Sequence, residues 1–358
     1  MKENLNKEIH VATTANEAYA IGLIVTLLSC LVANSGKNCF QFHVFDTGMF
    51  YLTQKKISTI INRKFGNLKI HFYKIDKTSF EGLTLDYGGG HSAYAKLLMG
   101  RFINAGKAIY VDSDFLILRD LAELYFGNMG GNVMLATRDV DTVDGKPATL
   151  AQDCPFDKSP EVLELPYFNS GMLLVDLKEW NRLDIERKSF EAAKGHEGSL
   201  RAWDQTILNY VLRGKIGSMD PEFARSRSWD PLPRSCNIHF ISKSKPWNTW
   251  SFMASFRLWR TFHKIFIGHS FPCRISPLQM VLGSLKELRD FVLAYCPFFK
   301  YMYFGVVKKS KRSSLSCKLH ERWIIRMAKH GKGWSDMFSI ETARFYRNRW
   351  MSRISISK

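Results

Sequence analysis

Two carboxylates in an apolar setting are the first candidates for chemistry in this chain. Asp112 and Asp114 stand between the apolar runs AIYV and FLIL. Buried charges need a ligand or a partner to offset the loss of water. Two carboxylates two residues apart at the end of a strand can turn towards one hard cation, and oxygen ligands suit Mg²⁺ or Mn²⁺. The pair therefore predicts a divalent metal site, although composition alone produces about one such spacing by chance.

A second pair with the same spacing, Asp139 and Asp141, lies in the polar stretch ATRDVDTVDGK. No apolar strand encloses it, so water can solvate both charges. We interpret this pair as a solvated loop.

The elements that must position Asp112 and Asp114 follow from hydrophobic periodicity. Short β-rich runs alternate with longer helical patterns, which predicts an α/β domain with a mostly parallel sheet. In such sheets ligands bind at the carboxyl ends of the strands, where this pair lies. Strands are predicted at 9–14, 40–45, 68–73, 107–112, 133–137, 168–176 and 237–241, and helices at 17–33, 50–64, 92–104, 178–194 and 203–213.

The most apolar long stretch is Ala18–Ala33, which has 16 residues and includes Thr26 and Ser29. A membrane-spanning helix needs about 20 apolar residues. A strand-like run directly precedes this stretch, so we predict a buried helix. The polar start MKENLNKEIH lacks the apolar core of a signal peptide.

Four further segments stand in order around the acidic pair: HSAYAKLLMGRFI (91–103), YFNSGMLLVDLKEW (167–180), AWDQTILNYVL (202–212) and NIHFISKSKPW (237–247). Together with the acidic pair, these four segments resemble glycosyltransferase family 8, which contains bacterial lipopolysaccharide galactosyl- and glucosyltransferases and glycogenin. The resemblance covers roughly residues 8–250. It implies a GT-A fold (Rossmann-like, with a mostly parallel central sheet), a UDP-hexose donor, Mn²⁺ or Mg²⁺, and transfer with retention of anomeric configuration.

The resemblance assigns site residues position by position. Asp112, Asp114 and His239 match the metal ligands of the family, and Lys245 matches a residue that contacts the donor diphosphate. Asn169 and Asp204 match positions that hold the donor sugar, and Gln205 would lie near the anomeric carbon, so Asp204 and Gln205 are the candidate catalytic residues. The remaining candidates for donor binding are Ala12, Thr13, Thr14 and Tyr19 in the first strand–helix loop, Tyr94 and Lys96 on the helix flanking the nucleotide, and Ser113.

Several of these residues also have a purely structural interpretation. His239 fits a strand core, and Asn169 fits a turn before Gly171. Asp204 is a good helix N-cap, and Lys96 fits a solvated helix face.

Two positions depart from the family pattern. Ala15 and Asn16 stand where related enzymes commonly have an acidic residue, and Ser242 stands where the family usually has Gly. The departure at Ala15 and Asn16 weakens the expectation that this loop recognises uracil. The departure at Ser242 affects how closely the backbone can approach the phosphate.

Sugar transfer with retention of anomeric configuration can follow two chemical routes. A double displacement needs a carboxylate on the far face of the sugar. The amide of Gln205 is a poor nucleophile, and Asp204 is the only nearby carboxylate. We favour same-face attack, in which the departing diphosphate takes the acceptor proton, and the double displacement stays open.

Charge divides the chain in two. Residues 251–358 contain 21 Lys and Arg against 5 Asp and Glu, a net charge of +16, whereas residues 1–250 have a net charge of +2. The resemblance and this change in charge together predict a glycosyltransferase domain over 1–250 and a basic, aromatic-rich, mainly helical C-terminal extension over 251–358. Seven scattered cysteines without CxxC spacing favour a reducing cytoplasm over a disulfide framework or a zinc site.

The basic extension could bind an anionic membrane surface or nucleic acid, or it could be a solvated surface that binds neither. We favour the membrane surface, because a basic cluster follows an aromatic run at 298–304; its residues are Lys308, Lys309, Lys311 and Arg312. No nucleic-acid-binding motif is present, so nucleic acid is not an expected partner. The expected acceptor is a lipopolysaccharide or lipooligosaccharide core at the cytoplasmic face of a bacterial inner membrane. The alternatives are a protein- or self-glycosylating enzyme of the same fold and a non-catalytic membrane-binding scaffold.

Overall fold

The computed structural model of the chain describes residues 8–35, 38–83, 90–140, 147–196, 200, 202–226, 236–241, 244–251, 253–273, 275–295 and 345–351. Its centre is a seven-stranded sheet in the order β3 (Lys69–Lys74), β2 (Cys39–Asp46), β1 (Glu8–Ala15), β4 (Lys107–Val111), β7 (Phe168–Asp176), β6 (Met134–Arg138), β8 (Ile216–Ser218). Strand β7 runs antiparallel to β4 and β6. The other pairings in this sheet are parallel. This confirms the predicted α/β class with a mostly parallel sheet.

A small second sheet joins two distant motifs. It consists of β5 (Phe115–Leu116), β9 (Arg225–Ser226) and β10 (Ile238–His239). Strand β10 is antiparallel to β5 and pairs His239 with Phe115. The predicted strand at 237–241 is therefore only two residues long, but it brings His239 next to the acidic pair.

The helices are α1 (Ala20–Ala33), α2 (Tyr51–Phe65), α3 (Met99–Phe102), α4 (Ala122–Tyr125), α5 (Pro160–Leu163), α6 (Leu177–Arg182), α7 (Ile185–Ala193), α8 (Trp203–Val211), α9 (Ala254–Phe266) and α10 (Pro277–Tyr295). Short 3₁₀ helices span Glu17–Tyr19, Lys77–Phe80, Ser92–Leu98, Leu150–Gln152, Pro221–Phe223 and Gly268–Ser270.

Two predicted helices differ in the structure. The segment predicted as one helix at 92–104 is the 3₁₀ helix Ser92–Leu98 followed by α3. Residues 94–98 are all buried, so packing on every side shapes this segment more than helix propensity does. The predicted helix at 178–194 is broken between α6 and α7 by Asp184, whose φ of 54° is left-handed. Asp tolerates this conformation better than most residues.

Helix α1 is the buried helix that the sequence predicts, and its polar residues support the site. The Thr26 hydroxyl donates to the carbonyl of Phe115 (2.9 Å), and Ser29 Oγ accepts from the backbone N–H of Ile117 (2.9 Å). A Cβ at Gly22 would lie 2.4 Å from the Ser113 carbonyl oxygen. Helix α1 thus contacts the chain between the two carboxylates, at Ser113, and directly after them, at Phe115 and Ile117. Within the described residues, no helix is both long and apolar enough to cross a membrane.

The hydrophobic core continues beyond residue 250. Trp259 and Phe262 of α9 are fully buried in the same cluster as Leu23 and Leu27 of α1. A helical segment at 345–351 adds Tyr346 and Trp350 to this cluster. The basic and aromatic run at 298–312 lies outside the described residues.

Candidate functional site

His239 and the two carboxylates form one group at the carboxyl end of β4. His239 Nε2 lies 3.3 Å from Asp114 Oδ1 and 3.7 Å from Asp112 Oδ2. The imidazole stacks on Phe115 at a centroid distance of 4.3 Å, which fixes its orientation. Gly171 leaves the space for it, because a Cβ there would lie 2.2 Å from His239 Cε1. The strand NIHFI therefore brings the imidazole of His239 beside the two carboxylates, where it could act as a third metal ligand.

The second oxygen of each carboxylate has a separate partner. Asp112 Oδ1 accepts from the Tyr110 hydroxyl (2.9 Å) and lies 3.3 Å from Lys96 Nζ. Asp114 Oδ2 pairs with the ammonium of Lys245. Each carboxylate is thus oriented by one oxygen and turns the other towards His239.

This donor set fits a divalent cation. One ligand atom from each of Asp112, Asp114 and His239 lies within 4.8 Å of the other two. Two carboxylate oxygens suit Mg²⁺ and Mn²⁺, and the imidazole nitrogen favours Mn²⁺ of the two.

Burial and pairing set the ionisation of Asp114. Burial alone would raise its pKa, but His239 and Lys245 outweigh burial and hold the pKa of Asp114 well below its ordinary value. The carboxylate is therefore ionised, as a metal ligand must be.

Lys96 and Asp204 form a buried ion pair beside the metal ligands. Lys96 Nζ lies 2.7 Å from Asp204 Oδ2 and donates to the Ser170 carbonyl at 3.0 Å. Burial acts to lower the pKa of Lys96, but Asp112 and Asp204 outweigh it and raise that pKa. Burial raises the pKa of Asp204, and Lys96 offsets only part of that effect. Lys96 is only 2% exposed, so it does not lie on a solvated helix face.

Asp204 does not cap its helix. Helix α8 begins at Trp203, and its N-cap residue, Ala202, makes no side-chain capping bond. The backbone N–H of Ala202 donates to Asp153 Oδ2 at 2.8 Å instead. The carboxylate of Asp204 is turned towards the site.

Gln205 is held by hydrogen bonds at both ends of its amide. Its Oε1 accepts from Asn169 Nδ2 (3.2 Å) and from the backbone N–H of Ser170 (3.1 Å). Its Nε2 donates to Asp139 Oδ2 at 2.8 Å. Asn169 Oδ1 accepts from the Gly171 N–H at 3.0 Å, but both residues lie within strand β7 and not in a turn.

Asp139 is a candidate site residue that the sequence analysis assigned to a solvated loop. Its backbone N–H donates to the Tyr167 carbonyl (2.9 Å), which ties it to the start of β7. Its side chain lines the cleft and contacts Gln205. The position of Asp139 at the end of a strand of the sheet could have indicated a site residue, because residues 134–138 form β6. Its neighbour Asp141 lies outside the described residues.

All these groups surround one cleft of about 660 Å³. The predicted residues that line it are Thr14, Tyr19, Lys96, Asp112, Ser113, Asp114, Asn169, Asp204, Gln205, His239 and Lys245. Ala15 and Asn16 line it as well, and Asn16 Oδ1 accepts from the Tyr19 N–H at 3.2 Å. Ser242 lies outside the described residues. Further lining residues that the sequence analysis did not single out are Ser92, Asp153, Tyr167 and Trp203.

Three predicted donor-binding residues do not line the cleft. Ala12 and Thr13 were expected in the first strand–helix loop, but β1 continues to Ala15, which pairs with Asp46 of β2. Both residues are therefore inside the sheet and 0% exposed. Tyr94 is likewise fully buried, in the 3₁₀ helix.

A protein family and several known proteins are similar to this chain. The family described as Glycosyl transferase family 8 matches residues 10–251. Glycosyltransferase GlyF of Streptococcus pneumoniae is 24% identical over 264 residues, which are 70% of this chain and 60% of GlyF. Lipopolysaccharide 1,2-glucosyltransferase of Escherichia coli K12 is 22% identical over 277 residues, which are 72% of this chain and 78% of that protein. The chain thus spans less than two thirds of GlyF and more than three quarters of the second relative.

Among solved structures, a complex of galactosyltransferase LgtC with donor and acceptor sugar analogues has a TM-score of 0.62 at 23% identity. The match covers 72% of this chain and 96% of that one. This likeness confirms the expected GT-A fold. The family match extends over all five segments that carried the resemblance, and these segments meet in the cleft. The chain is a glycosyltransferase and belongs to glycosyl transferase family 8.

Proposed function

We propose that this protein transfers a hexose, galactose or glucose, from a UDP-sugar to a lipopolysaccharide or lipooligosaccharide core, with retention and with Mn²⁺ or Mg²⁺. One observation carries the proposal. Asp112, Asp114 and His239 share a cleft with Lys245 on one side and with Asp204 and Gln205 on the other.

The two sides of the cleft suit the two ends of a nucleotide-sugar. A divalent ion held by Asp112, Asp114 and His239 would neutralise diphosphate charge and assist its departure. The ammonium of Lys245 stands beside Asp114 and 5.6 Å from the centre of the Tyr19 ring, so it can contact the diphosphate next to the nucleotide. Asn169 and Asp204 offer hydrogen-bonding groups to the hydroxyls of the sugar.

The contacts of Asp204 and Gln205 favour same-face attack. Gln205 carries an uncharged amide already engaged by Asn169 and Asp139. Asp204 is paired with Lys96, which makes its carboxylate a weaker nucleophile. The bond from the anomeric carbon to the diphosphate breaks, the acceptor oxygen attacks that carbon from the same face, and the acceptor proton passes to the departing diphosphate oxygen.

The descriptions of the relatives and the charge of the chain support the proposed acceptor and the proposed cellular location. One relative is described as a lipopolysaccharide glucosyltransferase, and one structural neighbour as a galactosyltransferase. Lipid-linked saccharides lie at a membrane, and the net charge of +16 in residues 251–358 suits an anionic surface. We place the enzyme at the cytoplasmic face of the inner membrane, attached through its C-terminal extension.

The test is UDP release from a panel of UDP-sugars with Mn²⁺ or with EDTA. We expect one UDP-hexose to be hydrolysed with Mn²⁺, and we expect EDTA and Asp114→Asn each to abolish this. Asp220→Asn, at an Asp outside the cleft, is the matched control and should retain activity. Absence of both turnover and Mn²⁺-dependent UDP binding would overturn the proposal in favour of a scaffold. Hexose added to the protein itself would favour self-glycosylation.

A further inference from the structure

Helix α10 packs with its small and polar face inwards. A Cβ at Gly283 would lie 2.8 Å from the carbonyl oxygen of Trp250, so α10 lies directly against this residue. The indole N–H of Trp250 donates to Ser284 Oγ at 3.2 Å. The inward face is therefore built from Gly283 and Ser284.

The opposite face of α10 is an apolar stripe exposed to solvent. Its residues recur at helical spacing, and each is more than half exposed: Leu278 66%, Val281 56%, Leu282 56%, Leu285 57% and Leu288 59%. Helices of globular proteins normally bury such a stripe. Contiguous exposed apolar surface marks an interaction site.

A basic groove borders the same Trp250. It has a volume of about 480 Å³ and is lined by Trp250, Arg257, Arg260, Thr261 and Lys264. The guanidinium of Arg260 lies 4.5 Å from the centre of a Trp250 ring. Trp250 thus contacts α10 on one side and borders a cationic groove on the other.

We infer that the α10 stripe and this groove form a docking face for an anionic lipid bilayer. The leucines enter the outer part of the hydrocarbon region while the groove receives anionic headgroups, as an interfacial amphipathic helix with basic neighbours does. The inference deepens the proposed function and rests on it for the lipid-linked acceptor. It assigns the docking face to α9 and α10, whereas the sequence drew attention to residues 298–312.

Charge favours a bilayer over a second copy of the chain. A symmetric dimer through the stripe would bring two extensions together, each with a net charge of +16. An anionic bilayer attracts that charge, so the apolar and electrostatic contributions have the same sign.

The docking face is connected to the cleft by a short segment. Lys245, which lines the cleft, is five residues before Trp250. Between them, Trp247 contacts Tyr19 of the cleft edge-on at 5.6 Å and Trp259 of α9 at 5.6 Å. Trp247 thus joins the cleft to the helix that borders the docking face.

The test is cosedimentation of the full-length protein with vesicles of phosphatidylcholine, with or without phosphatidylglycerol. We expect binding to the anionic vesicles, and a loss of at least about tenfold in Leu282→Glu/Leu285→Glu, since each leucine loses its apolar insertion. Lys264→Glu should weaken binding to anionic vesicles only. Phe126→Glu, which places the same charge at an exposed aromatic residue of the main domain, is the control and should bind normally.

Hydrolysis of a UDP-sugar is measured on the same samples. The variants lie outside the cleft and should hydrolyse at the wild-type rate, so a failure of the donor-site proposal is seen separately from a failure of docking. Equal vesicle binding by wild type and the double variant would overturn the inference. So would a dimer in gel filtration that the double variant abolishes, because the stripe would then contact a second copy.

Discussion

At the scale of single residues, Gly171 shows how closely the backbone approaches the proposed metal ligands. A Cβ at this position would lie 2.2 Å from Cε1 and 2.6 Å from Nδ1 of His239. We predict that Gly171→Ala displaces the imidazole and weakens Mn²⁺ binding by at least about tenfold, the scale of lost ligand support, as measured by titration calorimetry. At Gly106 an added Cβ would meet only Lys178 Cε at 3.8 Å. Gly106→Ala should therefore bind Mn²⁺ normally, and equal affinity in both variants would contradict the prediction.

Asp139 is a positioning residue for Gln205 in the proposed reaction. Asp139→Ala removes the acceptor of the Gln205 amide N–H, and a hydrogen bond to a charged group contributes about 1.5–3 kcal/mol. We predict that kcat for UDP-sugar hydrolysis falls by roughly tenfold or more while Mn²⁺ affinity is unchanged. Asp139→Asn keeps an acceptor oxygen and should recover most of kcat. A rise in KM alone would instead indicate a direct role in substrate binding.

Sequence predicts chemistry well where a residue type has few structural uses. Asp112 and Asp114 stood out because carboxylates are rare beside apolar strands. Asp139 did not, since an Asp in a polar stretch is usually solvated. Its contact with Gln205 depends on bringing residues 66 positions apart together, which no local pattern encodes.

At the scale of elements, three neighbouring strands form a ladder of histidines. Nε2 of His43 in β2 lies 3.0 Å from Nδ1 of His10 in β1. The His43 ring stacks on the ring of His71 in β3 at a centroid distance of 5.3 Å. Burial, then the neighbouring His10 and His71, lowers the pKa of His43 from 6.5 to about 3. Burial also lowers the pKa of His10, although Glu8 opposes this.

The lowered pKa of His43 makes stability depend on pH. The unfolded chain binds the proton more tightly than the folded one, so the contribution is complete above pH 6.5 and is lost as pH falls towards 3. We predict a decrease of about 2 kcal/mol in the free energy of unfolding between pH 8 and pH 5 from this residue. Urea unfolding at both pH values measures it. His43→Phe should remove most of the decrease, and an unchanged pH dependence in that variant would refute the assignment.

Whether a segment forms a helix or a strand was predictable where its hydrophobic period was clear, but the boundaries of these elements were not predictable. Helix α1 and six of the seven strands of the central sheet were predicted from local pattern, whereas the short strand β8 was not. The break at Asp184 and the 3₁₀ winding of Ser92–Leu98 depend on tertiary contacts. The predicted strand at 9–14 already included Ala12 and Thr13, and it was the family resemblance that assigned them to the first strand–helix loop. Pairing with β2 extends β1 to Ala15, so both residues lie inside the sheet.

At the scale of the whole molecule, charge suggested a boundary near residue 250, while packing links the two sides. Phe256, Trp259 and Phe262 of α9 join the core cluster of the main domain. A change in net charge describes the surface of a protein and says little about its core. The contact that closes this cluster comes from residues almost 90 positions further along the chain, so sequence pattern could not predict it.

The segment at 345–351 provides that contact and a test of it. The Trp350 ring is 3% exposed and packs edge-on against Phe262 at 5.0 Å and Phe266 at 6.3 Å. Replacing a buried Trp by Ala costs about 3–5 kcal/mol. We predict that Trp350→Ala lowers the free energy of unfolding in urea by about 3 kcal/mol. Its neighbour Met351 is 49% exposed, so Met351→Ala should change that free energy little. Equal stability of the two variants would mean that this segment does not complete the core, and the folded unit would then end with the helices before it.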